Sequence, residues 1–145
     1  MESIKRCIHN TLIAFLGGLL AVSALSVLSY LIFDIFDISK PFPTTSLGIF
    51  LHYLILVALL EEGIKFLLIR KNMGKYPYGY LLGFGFGLGE VLFKYPIPEW
   101  WKGSGAILLH IITAGIIAYF IKRKRPVVGL IMAVLIHLGY NYLVS

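Results

Sequence analysis

Glu61 and Glu62 interrupt the apolar run from Leu54 to Leu68, and Glu90 closes the run from Leu81 to Leu88. His110 and His137 interrupt two further apolar runs. An ionisable side chain in hydrocarbon costs roughly 2.5–3.5 kcal/mol even on lenient insertion scales. Five of them in a chain of 145 residues imply a use: chemistry, passage of ions or protons, or a buried polar network. A buried carboxylate can act as general base on a water, with a second carboxylate or a histidine holding that water. His137 and Asn141, one helical turn apart, can donate hydrogen bonds to a developing oxyanion. Two histidines and a carboxylate also form a set that zinc accepts. No compact HExxH spacing supports that metal reading. The inert alternative is that polar side chains hydrogen-bond the helices of a bundle together.

The elements that must carry these residues are membrane helices. The chain is 59% hydrophobic and 14% charged, with mean hydropathy +0.87. That composition leaves no room for a soluble domain beside the apolar segments, so a single domain over 1–145 is expected. At about 20 residues per crossing, the sequence divides into spans at 11–33, 47–69, 78–93, 104–121 and 127–144. The fold class is therefore an all-α polytopic helical bundle of about five transmembrane helices, since only helices or closed barrels satisfy the backbone in lipid. The apolar stretch of the first span runs to Phe33, beyond the ~7–15 residues of a signal-peptide core, so an uncleaved span is expected.

The net charge of +6 is a matter of topology rather than of nucleic-acid binding. Lys5, Arg6, Arg70, Lys71, Lys75 and the run Lys122–Arg125 fall on one side of the spans. Lys40, Lys94 and Lys102 fall on the other. The positive-inside rule then places the N-terminus in the cytoplasm. The lone Cys7 excludes an intramolecular disulfide and any multi-cysteine metal site. Pro41 and Pro43 break the chain after the first span, and Thr44, Thr45 and Ser46 can cap the second. Tyr95 to Pro98 form the next outer loop, with Trp100 and Trp101 as interfacial anchors.

Gly83, Gly85, Gly87 and Gly89 superficially resemble a dinucleotide loop, but no strand precedes them. The pairs Gly83/Gly87 and Gly85/Gly89 fit close helix contact better. Ala106, His110, Ala114 and Ala118 make a similar narrow stripe on the fourth span. Counting 1.5 Å per residue from the cytoplasmic ends, Glu61 lies roughly 12–14 Å deep. Glu90, His110 and His137 lie roughly 15–18 Å deep on the same count. Four polar residues from four spans thus converge near the midplane. Lys65 lies one turn from Glu61 and can pair with it. His52 is near the outer end and on the opposite face from Glu61, which suits a helix contact better than a ligand. His9 is juxtamembrane, with no role assigned.

Four ordered motifs accompany this convergence. Glu61-Glu-Gly-Ile-Lys65 is EExxK, Phe86-Gly-Leu-Gly-Glu90 is FxxxE, His110 with Ala114 is HxxxA, and His137-Leu-Gly-Tyr-Asn141 is HxxxN. In this order on four successive spans they resemble the intramembrane glutamate-protease superfamily. That group includes the CAAX prenyl endopeptidases, bacteriocin-processing and immunity relatives, the PrsW proteases and, distantly, a non-catalytic subunit of γ-secretase. EExxK with FxxxE is closest to PrsW, whereas the final HxxxN is more like the CAAX type. The resemblance covers about 57–144 and sets the motif-bearing four-helix core, about 47–144, apart from a peripheral first span.

The resemblance implies an intramembrane endopeptidase that needs no cofactor and no metal. Glu61 would activate the attacking water, beside Glu62, and Glu90 would position it. His137 and Asn141 would be the oxyanion donors, and His110 a further polar or proton-relay group. The implied partners are a membrane protein or peptide substrate and the lipid bilayer, without nucleic acid, in the plasma membrane of a prokaryote. Two other readings stay open: a non-catalytic membrane scaffold or binding subunit, and a small-ion or proton-linked transporter. The transporter is disfavoured because no inverted repeat is visible.

Overall fold

The computed structural model describes residues 2–35, 58–71, 76–94 and 100–144, and every element in them is helical. The helices are α1 (Glu2–Ile35), α2 (Leu60–Lys71), α3 (Tyr76–Lys94), α4 (Trp100–Lys122) and α5 (Pro126–Val144). Three of them contain windows long and apolar enough to cross a membrane: Ile8–Leu25, Gly103–Lys122 and Pro126–Val144. The expected spans 11–33, 78–93, 104–121 and 127–144 fall inside α1, α3, α4 and α5. Of the expected span 47–69, α2 supplies the second half, and a wide π-type turn at Ala58 and Leu59 leads into it. His52, the loops Pro41–Ser46 and Tyr95–Glu99, and the Trp100 and Trp101 side chains lie outside the described residues.

The glycines set how the helices pack. On α3, Gly79, Gly83 and Gly87 share one face by their i, i+4 spacing. A Cβ on Gly83 would lie 2.3 Å from the His110 carbonyl oxygen, and one on Gly87 would lie 2.6 Å from Ile107 Cα. A Cβ on Gly79 would meet that of Ala118 at 2.7 Å. The glycine face of α3 and the Ala106–Ala118 stripe of α4 therefore meet each other, as small residues allow. The other α3 stripe faces α1. A Cβ on Gly85 would lie 2.1 Å from the Phe15 carbonyl oxygen, and one on Gly18 would lie 2.2 Å from that of Leu82. So α1, which carries none of Glu61, Glu62, Glu90, His110 and His137, is in backbone contact with α3. Ala14, Leu82, Ala114, Ile117 and Ala133, all fully buried, fill the core alongside.

A tight turn joins α4 to α5. Arg125 N–H donates to the Phe120 carbonyl at 2.9 Å and Lys124 N–H to that of Ile121 at 3.0 Å. This double bond pattern is a Schellman cap. Its left-handed position is Lys124, with φ 56°, where glycine is the usual residue. Pro126 then opens α5 at the position where a missing N–H costs nothing. Lys124→Gly is expected to stabilise the turn by about 1 kcal/mol, visible as a higher thermal midpoint in detergent. A lower midpoint would show that the lysine side chain compensates for its backbone. The outward faces are apolar: Leu20 of α1 and Leu135 of α5 are 67% and 60% exposed, as lipid-facing residues would be.

Candidate functional site

Lys65 is the centre of the polar cluster. It sits on α2, fully buried, and its ammonium has three N–H groups to place. One goes to Glu62 Oε1 at 2.5 Å, one to His110 Nδ1 at 2.8 Å and one to Thr113 Oγ1 at 3.1 Å. The Phe86 ring lies beneath it, its centroid 5.0 Å from Nζ, a cation–π distance. The ammonium thus pairs with Glu62 at i−3 rather than with Glu61 at i−4. Thr113 passes its own hydroxyl hydrogen to the His110 carbonyl at 3.4 Å.

These bonds fix the imidazoles. An ammonium only donates, so His110 Nδ1 accepts and the ring hydrogen of neutral His110 is on Nε2. That Nε2–H donates to Glu90 Oε2. On α5, His137 Nδ1 lies 2.7 Å from Glu62 Oε1. A carboxylate oxygen accepts, so Nδ1 carries the hydrogen and His137 Nε2 presents a lone pair. Glu62 Oε1 therefore receives both Lys65 and His137. The two rings meet edge to face with centroids 5.3 Å apart, and Phe86 packs on His110 at 4.8 Å.

Glu61 completes the arrangement from α2. Its Oε2 lies 3.8 Å from His110 Nε2 and 3.8 Å from His137 Nε2. Ligand atoms of Glu61, His110 and His137 all lie within 4.8 Å of one another. An oxygen atom can rest over that triangle at ~2.8 Å from each corner, a normal hydrogen-bond distance. Two buried polar atoms, Glu62 Oε2 and Asn141 Nδ2, have no hydrogen-bond partner among the described residues. Native proteins leave few such atoms, and each asks for a reason.

The structure thus brings Glu61, Glu62, Glu90, His110 and His137 into one buried cluster drawn from α2, α3, α4 and α5. Asn141 follows His137 by one turn on α5, with its amide nitrogen buried. Glu62, an expected site residue, is the hub between Lys65 and His137. Two participants were not expected as site residues. Lys65 was expected only to pair with Glu61, and its central place comes from His110 and Thr113 on α4, which spacing does not show. Thr113 lies in the apolar stretch Ile111–Ala114 and gives no signal beyond its i+3 spacing from His110.

Fold and cluster together define an all-helical protein with membrane-length helices around a buried carboxylate–imidazole–ammonium centre. Comparison of the chain with protein-family models, with curated proteins and with solved structures finds no match.

Proposed function

We propose that the protein is an intramembrane endopeptidase, a five-span bundle with a cytoplasmic N-terminus, hydrolysing peptide bonds in or near the bilayer. The observation that carries this reading is the 3.8 Å separation of Glu61 Oε2 and His137 Nε2, two acceptors from different helices. One water can donate a hydrogen to each at ~2.8 Å. With both hydrogens engaged, its oxygen lone pairs are turned toward an incoming carbonyl. The ordered motifs resembling the glutamate proteases support the same assignment.

In the reaction, the water oxygen bonds to the carbonyl carbon while Glu61 Oε2 takes a proton from it. The carbonyl oxygen becomes an oxyanion, and Asn141 Nδ2–H₂ is the donor kept for it. The carbon–nitrogen bond then breaks as Glu61 returns the proton to the leaving nitrogen. The products are a carboxylic acid and an amine. His137, oriented by Glu62, holds the water in line and is an acceptor in its neutral form. This gives Asn141 the oxyanion role that spacing alone shared between His137 and Asn141. Glu90 and Lys65 hold the His110 ring between them.

The direct test is cleavage by the purified protein in lipid vesicles, with a panel of transmembrane and interfacial peptides in ¹⁸O-water. Hydrolysis predicts one heavy oxygen in each new C-terminus. Removing a single preorganised donor typically costs about 10²–10³ in rate. Asn141→Ala is therefore expected to lower kcat by that factor with little change in KM. Asn141→Asp removes the donor and adds a carboxylate one turn from His137, so its loss at neutral pH is expected to be at least as large. An Asn141→Asp protein as active as wild type would leave Asn141 only a structural role. A second reading rests on the saturation of Lys65: a scaffold needs only such a network to hold helices together. Absence of cleavage across the whole panel would favour it.

A further inference from the structure

We propose that Lys65 is a positioning residue that holds His110 in its Nε2–H form, so that the Glu61–His110–His137 triangle takes a water and not a divalent metal ion. The proposal depends on the hydrolase reading only for its effect on rate. The state of the ring can be observed whether or not the protein cleaves anything.

The geometry leaves the ammonium little choice. Glu62 Oε1 and Thr113 Oγ1 hold Nζ from two directions, which aims its remaining N–H at His110 Nδ1, 2.8 Å away. The Phe86 ring closes the side beneath. A simple buried ion pair would need only Glu62. The contact to a ring nitrogen is additional, and it dictates where the ring hydrogen sits, because an ammonium has no lone pair to accept one. Glu90 receives that hydrogen at the far end of the ring.

The consequence concerns metals. By distance, Glu61, His110 and His137 form a Glu–His–His set of the kind zinc uses. His137 even has the carboxylate behind its other nitrogen that metal-bound histidines favour. His110 is the obstacle. To ligate through Nε2 it must move its hydrogen to Nδ1, and Nδ1 faces an ammonium. Ligation would require an anionic ring or a neutral lysine. Removing the Lys65 N–H groups releases Nδ1, so that an added zinc ion can displace the ring hydrogen from Nε2 to Nδ1, against the Glu90 contact, and take the triangle as its ligand set.

Protein labelled with ¹⁵N-histidine and reconstituted in lipid decides the matter, because protonated and bare ring nitrogens have well-separated chemical shifts. The His110 signals are identified by their loss in His110→Gln. The wild type is expected to show His110 protonated at Nε2 and bare at Nδ1, and to bind no stoichiometric zinc by elemental analysis. The double variant Lys65→Met with Glu62→Gln keeps the charge balance and leaves an amide oxygen for His137. With zinc added it is expected to carry the His110 hydrogen on Nδ1 and to bind one zinc per chain, lost again when His137→Ala is added. A His110 ring protonated at Nδ1 in the wild type overturns the proposal, as does an unchanged ring in the zinc-treated double variant. Stoichiometric zinc in the wild type that disappears in His110→Gln overturns it too. The wild-type spectrum decides alone if the double variant does not fold. A protein that cleaves peptides but shows Nδ1–H fails here and not as a hydrolase. One that shows Nε2–H without cleaving fails only as a hydrolase.

Discussion

Glu61→Gln is expected to lower kcat for peptide cleavage by about 10²–10⁴, the usual cost of removing a general base. The substitution keeps the size and planarity of the side chain. It removes the capacity to accept a proton from the water proposed to bridge Oε2 and His137 Nε2, which lie 3.8 Å apart. Because the amide can still hydrogen-bond where the carboxylate did, helical content and thermal midpoint are expected to stay near wild type. Glu62→Gln is the informative contrast, since Glu62 is adjacent in sequence and as deeply buried. Its Oε1 only accepts hydrogen bonds from Lys65 and His137, and an amide oxygen can do the same. The expected pattern is a large kinetic loss with little destabilisation at Glu61, and the reverse at Glu62, whose neutralisation strips the buried Lys65 of its counter-charge. Breaking a buried pair by removing one partner typically costs about 3–5 kcal/mol. Equal cleavage by wild type and Glu61→Gln would remove Glu61 from the mechanism.

Gly83→Ala is the second large effect, and it acts through backbone. The new Cβ would stand 2.3 Å from the His110 carbonyl oxygen and 2.8 Å from its carbon. Neither neighbour is the flexible end of a side chain, so α3 and α4 must separate. Overpacking of this kind costs about 1–3 kcal/mol and sometimes more. Separation also draws the His110 ring away from Glu90 or from Lys65. One methyl group is thus expected to lower both the thermal midpoint and the activity. Gly63→Ala serves as control, because nothing lies within 4 Å of a Cβ there. In the interior of α2 it should be neutral or stabilising by up to ~1 kcal/mol through helix propensity. If Gly83→Ala melted no lower than Gly63→Ala, the close approach of α3 and α4 would be refuted.

The sequence was most legible where length and apolarity set the outcome. The helices expected at 78–93, 104–121 and 127–144 each fall within an observed helix that exceeds them by only a few residues at either end, and of these α4 and α5 are long and apolar enough to cross a membrane. The convergence of Glu61, Glu90, His110 and His137 was legible from depth alone, because helical rise is a constant. The small-residue stripes announced close contacts, but only packing tells which neighbour each stripe meets. The wiring was not legible. Lys65 can reach Glu61 or Glu62 by spacing alone, and the choice falls to Glu62 because His110 and Thr113 on α4 draw the ammonium to that side. Roles within the cluster follow from hydrogen positions, which depend on partners 45 and 75 residues away along the chain.

The short turn between α4 and α5 bears on how the protein is made. Synthesis from the N-terminus delivers Glu61, Glu62, Lys65 and Glu90 before either histidine of the cluster. The Schellman cap and Pro126 leave no slack between the last two helices. His110 and His137 therefore join the bundle together, on one hairpin of two membrane-length helices with the basic run Lys122–Arg125 at its tip. Each imidazole arrives with a carboxylate already waiting for its N–H. Docking of this hairpin is the assembly step that completes the cluster, and a chain stalled before it would hold three carboxylates and one lysine without either imidazole.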